Sequence, residues 1–262
     1  MSEASNVIKE LAELVRSKRD YVVSNAGSKN FEIKEDKSMV TKIDHELEGH
    51  ARTIIKKLQP GAGINGEEYG TEGDTETFWT LDPIDGTAYF IRDLPEYMFM
   101  ASYVENDKPL MSLMYNFALD DMFVVRSDGI ATKNGKPIHV SERKFDVNAY
   151  IEMEAHFDHR GDITDKFAKK GLFLSLPYWR AGYGFSMVAE GKIEARVQLD
   201  GYGKLYDFLP GFILIKAAGG DVRNIGSDTW EYKNLNTIAS NGVVTDDLNT
   251  LVKGFYHGKS NK

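Results

Sequence analysis

The chain has 262 residues, 42% apolar and 27% charged, an ordinary globular composition that argues against disorder and fits one large domain or two modest ones. It contains no cysteine, which excludes a disulfide scaffold, a thiol nucleophile and thiolate-ligated zinc. Acids outnumber bases 40 to 32, and the net charge of −8 argues against a general nucleic-acid binder, because phosphate backbones attract basic patches.

Residues 1–5 are polar, and Val7, Ile8, Leu11, Leu14 and Val15 follow at helical spacing. The chain therefore opens as an amphipathic helix rather than a signal segment. The longest apolar stretch, 208–215, is broken by Pro210 and Gly211 and is far below a membrane span, so a soluble, cytoplasmic protein is expected. A second helix is expected after Asp44, placed as its N-cap, with Leu47, Ala51, Ile54, Ile55 and Leu58 on one side and Pro60-Gly61 ending it. Residues 78–81 read as a short buried strand running into a tight turn, Asp82-Pro83-Ile84-Asp85-Gly86-Thr87. Next comes a meander, with strands at 98–104, 110–115 and 122–125 and a turn at Asn106-Asp107. Asn134-Gly135 signals a hairpin before Ile138-His139-Val140. Beyond residue 141, short strands at 149–153 and 171–174 alternate with helical patterns. The fold expected is α+β, with an N-terminal α+β subdomain over 1–145 and a C-terminal α/β subdomain over 146–262.

Three motifs are decoys. Gly61-Ala62-Gly63-Ile64-Asn65-Gly66 has dinucleotide-site spacing, but a helix precedes it and an acidic loop is expected after it. Gly135-Lys136 resembles a P-loop ending with Pro137 in place of Ser or Thr. His156 and His159, with Glu154 and Asp158, could meet on one helix face, yet a solvated charged turn accounts for them.

The acids beside turn residues carry the chemistry. Glu67 and Glu68 follow Gly66, Asp82 and Asp85 flank Pro83-Ile84, and Asp207 precedes an apolar helix. Two carboxylates about 4 Å apart repel by roughly 4 kcal/mol at an effective dielectric near 20, and a hard divalent cation such as Mg²⁺ turns that repulsion into binding. Gly86-Thr87 then offers a helix start, whose N–H groups suit phosphate oxygens. A plain turn with solvated aspartates is the competing account of this segment.

Trp79-Thr80-Leu81-Asp82-Pro83-Ile84-Asp85-Gly86-Thr87 resembles the W-x-x-D-P-[IL]-D-G-T signature of the inositol monophosphatase family. Gly66-Glu67-Glu68, Val40-Thr41-Lys42-Ile43-Asp44, the hairpin from Asn134 to Ser141, and Tyr206-Asp207 through Ala218-Gly219-Gly220 resemble its other elements, in family order. The resemblance implies a layered α/β/α/β/α sandwich of the inositol monophosphatase and fructose-1,6-bisphosphatase type. It implies that Glu67, Asp82 and the Ile84 carbonyl hold a first Mg²⁺, that Asp82, Asp85 and Asp207 hold a second, and that a third sits near Glu67. Gly86 and Thr87 would bind the phosphate, and Thr87, hydrogen-bonded to Asp44, would activate the attacking water with Glu67. Asp85, Arg180 and Asp200 would face the rest of the substrate, with Gln198 the alternative to Asp200. A bisphosphate substrate should want extra cations, which Arg180, Lys192, Arg196 and Lys204 could supply.

The implied activity is Mg²⁺-dependent hydrolysis of a small phosphomonoester, inositol monophosphate-like, by direct attack of a metal-activated water, inhibited by Li⁺. Histidinol phosphate, fructose 1,6-bisphosphate and nucleoside 3′,5′-bisphosphates are the other substrates the family implies. A non-catalytic protein that binds metal or phosphate and acts through a partner is the reading from another class. A homodimer is implied as well, with the apolar meander near 98–115 a candidate interface.

Overall fold

A computed structural model describes residues 2–28, 31–33, 39–155, 157–199 and 203–256. The chain forms two compact units. The first comprises Met1–Pro137, Trp179–Tyr183 and Tyr206–Leu214, and the second Ile138–Tyr178, Gly184–Leu205 and Ile215–Lys262. The chain thus returns to the first unit twice after residue 138, whereas a single boundary near 145 places Asp207 in the C-terminal part.

The first unit opens with helix α1 (Glu3–Asn25), capped by the Ser2 side chain, and a two-stranded ribbon of β1 (Glu32–Ile33) and β2 (Met39–Val40). Helix α2 (Lys42–Leu58) follows. Its N-cap is Thr41 and not Asp44. Thr41 accepts from the Ile43 N–H, while Asp44, one position short of a full turn inside the helix, closes a capping box onto the Thr41 N–H.

An eight-stranded sheet then forms from β3 (Gly63–Gly66), β4 (Gly70–Glu72), β5 (Phe78–Asp85), β6 (Met98–Glu105), β7 (Lys108–Asn116), β8 (Asp121–Val125), β9 (Ala131–Lys133) and β10 (Lys136–Pro137). Its order is β10-β9-β8-β7-β6-β5-β3-β4. The meander and the Asn134-Gly135 hairpin fall where the apolar runs and turn residues put them. Residues 138–140, however, form no strand. The last four residues of the glycine-spaced segment 61–66 form strand β3, paired in parallel with β5, and no helix starts on it, so the dinucleotide geometry is absent.

Residues of β5, β6 and β7 that lie opposite one another share a face. Leu81, Ala101 and Leu113 are in register and join the core formed with Val7, Leu11 and Val15 of α1 and Leu47, Ala51 and Ile55 of α2. Asp82 pairs with Met100, and Met100 with Met114, on the other face. The meander is buried by its own chain over most of 98–104 and 111–115, so the interface expected there is already consumed by the core. Trp79 is fully buried, as a core aromatic with a polar edge should be: its indole N–H donates to Gln59 Oε1 at 2.9 Å.

The second unit carries a five-stranded sheet of β11 (Tyr150–Ala155), β12 (Phe173–Ser175), β13 (Ala195–Leu199), β14 (Asp221–Asn224) and β15 (Thr237–Ser240), in the order β12-β11-β13-β15-β14. Parallel pairs β11–β12 and β11–β13 meet antiparallel pairs with β15, the mixed pattern of an α/β half. Between and after the strands run α4 (Arg160–Lys169), α5 (Gly182–Ala189), α6 (Leu205–Ala217) and α7 (Thr245–Val252); the short α3 (Thr87–Phe90) belongs to the first unit. Residues 182–183 of α5 and 206–214 of α6 belong to the first unit as well. The fold is α+β, and among the described residues no helix is long and apolar enough to cross a membrane.

Candidate metal centre

The Asp-Pro-Ile-Asp segment is not a turn. Strand β5 continues through Asp85, and its register against β6 shifts between Asp82 and Asp85. A bulge adds a residue on one strand and re-aims side chains. Here it lies between two aspartates of a fully buried strand. Gly86 then turns the chain at φ 89°, and a Cβ there would lie 2.5 Å from the Glu96 carbonyl oxygen, so only glycine fits before α3 begins at Thr87.

Carboxylate oxygens of Asp82, Asp85 and Asp207 lie within 4.8 Å of one another. Asp207 sits inside the first turn of α6, so it is not a cap preceding the helix. Asp85 is fixed by two backbone donors: the Ala181 N–H to Oδ1 at 2.8 Å and the Gly182 N–H to Oδ2 at 2.7 Å. Asp82 is buried, and its Oδ1 has no hydrogen-bond partner. Its carboxyl is pushed well above the ordinary range by burial, and then by the charges of Glu67, Asp207 and Asp85 and by hydrogen bonding with Glu67. The Tyr206 hydroxyl is pushed up by burial and by the same acids, Asp207, Glu67 and Asp82. Glu67 therefore belongs to the group, although it is on another loop.

Asp44 is fully buried and its carboxyl is raised to about 7, chiefly by burial; hydrogen bonds from Thr41 oppose the shift, and Glu67 and Glu68 add to it. Its Oδ2 accepts from the Thr41 N–H at 2.8 Å and the Thr41 hydroxyl at 2.5 Å, and its Oδ1 has no partner. The Thr87–Asp44 hydrogen bond is not formed. The Thr87 hydroxyl instead donates to the Ile84 carbonyl at 3.0 Å, closing a turn of its own.

The residues fit a hard cation. Buried carboxylates that lack hydrogen bonds are costly and call for a counter-charge. The donors are all oxygen, which suits Mg²⁺ and excludes a soft-metal site. The Ile84 carbonyl, though it accepts from Thr87, keeps a second lone pair.

The substrate-side residues are placed less simply. Arg180 is buried, ion-paired with Glu96, and flanked by the rings of Tyr183 and Tyr89 at 5.1 and 5.8 Å. Arg196 is fully buried between Glu152 and Glu154, so it is not a cation held ready for a second phosphate. Lys192 pairs with Glu190 at 2.6 Å. Gln198 is buried on β13. Asp200 and His156 lie outside the described residues. One participant escaped the sequence reading: Glu48, a buried acid on α2 that holds the loop of Glu67. Its position one helical turn after Asp44 is the only sequence signal for it.

An all-oxygen acidic cluster at the end of a buried strand is the donor set of a candidate hard-cation centre. The chain matches the model of the inositol monophosphatase family over residues 2–254, and it belongs to that family. It is 27% identical to a fructose-1,6-bisphosphatase/inositol-1-monophosphatase of Thermotoga maritima, over 82% of this chain and 83% of that protein. It is also 27% identical to an inositol monophosphatase of Mesembryanthemum crystallinum, over 95% and 93%. Among solved structures, an inositol monophosphatase of Thermotoga maritima superposes with a TM-score of 0.81 at 25% identity, covering 96% of this chain and 95% of that one.

Proposed function

We propose that the protein is a Mg²⁺-dependent phosphomonoesterase that releases orthophosphate from a small phosphorylated metabolite, an inositol monophosphate-like polyol phosphate first. The observation that carries this is the convergence of Asp82, Asp85 and Asp207 within 4.8 Å, with a buried, unpartnered Asp82 oxygen among them. Glu67, Asp82 and the Ile84 carbonyl would hold one ion, and Asp82, Asp85 and Asp207 another. Bound Mg²⁺ supplies charge neutralisation at the phosphoryl oxygens and the leaving group.

The chain's own residues do the rest. Gly86 and Thr87, at the start of α3, would hold the phosphate through their N–H groups. Glu67, with Thr87 and Asp44, would orient the water that attacks phosphorus and take up its proton. A carboxyl raised to about 7, as in Asp44, sits where a proton acceptor is useful at neutral pH. Direct attack needs no covalent phosphoenzyme, so the absence of cysteine costs this mechanism nothing. Asp85 would touch the substrate beside the metal. The internal pairing of Arg180 and Arg196 favours a monophosphate over a bisphosphate. The relatives' own names span both types.

The test is phosphate release by purified protein with Mg²⁺ on inositol 1-phosphate, histidinol phosphate, fructose 1,6-bisphosphate and a nucleoside 3′,5′-bisphosphate. Turnover is expected to be highest on a monophosphate, to vanish with EDTA and to fall with Li⁺. No release from any of the four would contradict the proposal and favour a non-catalytic binder.

A further inference from the structure

Strands β3 and β4 form a hairpin in which Gly66 faces Gly70, leaving Glu67, Glu68 and Tyr69 as its connecting loop. A loop of this length has three N–H groups to satisfy, and each has a partner. The Glu67 N–H donates to the Leu81 carbonyl at 3.1 Å. The Glu68 N–H donates to Glu48 Oε2 at 2.7 Å, and the Tyr69 N–H to Glu48 Oε1 at 3.3 Å. Successive N–H groups around one carboxylate make an anion-binding concavity. Here the anion is a side chain of the same protein, with 0% exposure.

Glu48 is itself held. Arg52, one turn further along α2, donates from Nε to Glu48 Oε1 at 2.8 Å. Its Nη1 reaches Glu72 on β4 at 2.7 Å, and its Nη2 reaches the Gly70 carbonyl. The guanidinium therefore ties α2 to both ends of the hairpin's outer strand. The approach is so close that a Cβ on Gly66 would lie 2.0 Å from Glu48 Oε1, which explains why glycine precedes Glu67-Glu68. A buried carboxylate without its guanidinium would be costly, so the two residues act as a unit.

We propose that Glu48, locked by Arg52, is the positioning residue that sets where Glu67 stands relative to Asp82, and that it thereby governs metal affinity. The inference rests on the metal-centre reading above and deepens it. Glu48 touches neither metal nor substrate in this account. It holds the backbone N–H groups of the two residues that follow a ligand, as outer partners of metal ligands do elsewhere, where their loss costs about 10–100-fold in affinity or activity. A merely structural buried acid should cost stability alone. Glu194 provides that comparison, because it too is buried and accepts from an arginine, Arg143, and from a backbone N–H, that of Tyr150.

The test is Mg²⁺ titration by calorimetry without substrate, paired with Mg²⁺ activation of phosphate release, on wild type, Glu48→Gln, Arg52→Lys and Glu194→Gln. Glu48→Gln is expected to weaken Mg²⁺ binding by about tenfold or more, with a matching rise in half-activating Mg²⁺ and a kcat at saturating Mg²⁺ within about threefold of wild type. Arg52→Lys should shift in the same direction by less, and it carries the test if Glu48→Gln does not fold. Glu194→Gln should lower Tm and leave the Mg²⁺ titration unchanged. Unchanged Mg²⁺ binding in Glu48→Gln and Arg52→Lys, or an equal shift in Glu194→Gln, would overturn the inference. A wild-type protein that takes up no Mg²⁺ would overturn the metal-centre reading itself, and this inference with it.

Discussion

The protein buries two clusters of acids and treats them in opposite ways. In the second unit, Glu152 and Glu154 on β11 sit beside Arg196 on β13, whose Nη1 and Nη2 reach one carboxylate each, the latter at 2.9 Å. A guanidinium supplied by the fold neutralises them. In the first unit, burial and the charges of Glu67, Asp207 and Asp85 all act on Asp82 in one direction, raising its carboxyl. An acid pair with its own arginine is complete as folded. An acid cluster that repels itself is complete only with a cation from outside, and the difference separates a structural cluster from a metal centre.

Removing the internal cation should have the largest effect on stability. Arg196→Met leaves Glu152 and Glu154 buried without compensation, and the expected loss is about 3–5 kcal/mol in chemical denaturation. Adding Glu152→Gln and Glu154→Gln should recover most of it. An Arg196→Met protein as stable as wild type would erase the contrast between the clusters.

The complementary change in the first unit should act on function. Asp82→Asn is expected to cut Mg²⁺-dependent phosphate release by about 10²–10³-fold or more, on the scale of losing one preorganised electrostatic partner. The same change should raise the Tm of the metal-free protein by a few degrees, since each 1 kcal/mol is worth about 2–4 °C at this size. Near-normal turnover would break the assignment of Asp82 as a ligand.

Stability against pH offers a third contrast. Asp44 and Asp82 have folded-state pKa values above the unfolded value, Asp44 at about 7. Their contribution is therefore fully present at acid pH and is lost as pH rises through the folded value. Metal-free protein should be more stable at pH 5.5 than at pH 8, by about 1 kcal/mol per pH unit for each group that must ionise. Mg²⁺ should reverse the trend, stabilising more at pH 8 and releasing protons on binding. Calorimetric scans in EDTA and in Mg²⁺ at both pH values check this, and a metal-free Tm that rises with pH would contradict it.

The smallest effect concerns the helix start. Thr41→Ala removes the α2 cap and a hydrogen bond to Asp44, and should cost about 1 kcal/mol by denaturation.

Residues that signal themselves locally were the legible ones. The continuous apolar runs of the meander, the Asn134-Gly135 turn and the short buried strand at 78–81 follow from run length and turn chemistry. The acids beside Gly66, Pro83 and Gly86 stood out because a plain turn does not need so many. What stayed hidden depends on partners distant in sequence. Whether Asp82-Pro83-Ile84-Asp85 is a turn or a bulged strand end is decided by pairing with β6. Asp44 has the residue type of a cap, but Thr41, three residues earlier, takes that position and leaves Asp44 inside the helix. Glu48 is an acid in mid-helix, a place usually solvated, and only the folded hairpin shows that it is buried. Arg196 looked available to a phosphate, and only the β11–β13 register reveals the two glutamates that claim it.

The central claim is that Asp82, Asp85 and Asp207 with Glu67 form a cation-binding centre. Anomalous diffraction from crystals soaked in Mn²⁺, an oxygen-preferring substitute for Mg²⁺, tests it most directly. The account predicts at least one strong peak within bonding distance of Asp82 and Asp207 carboxylate oxygens, removed by Asp82→Asn. No peak among these four side chains at millimolar Mn²⁺ would contradict it.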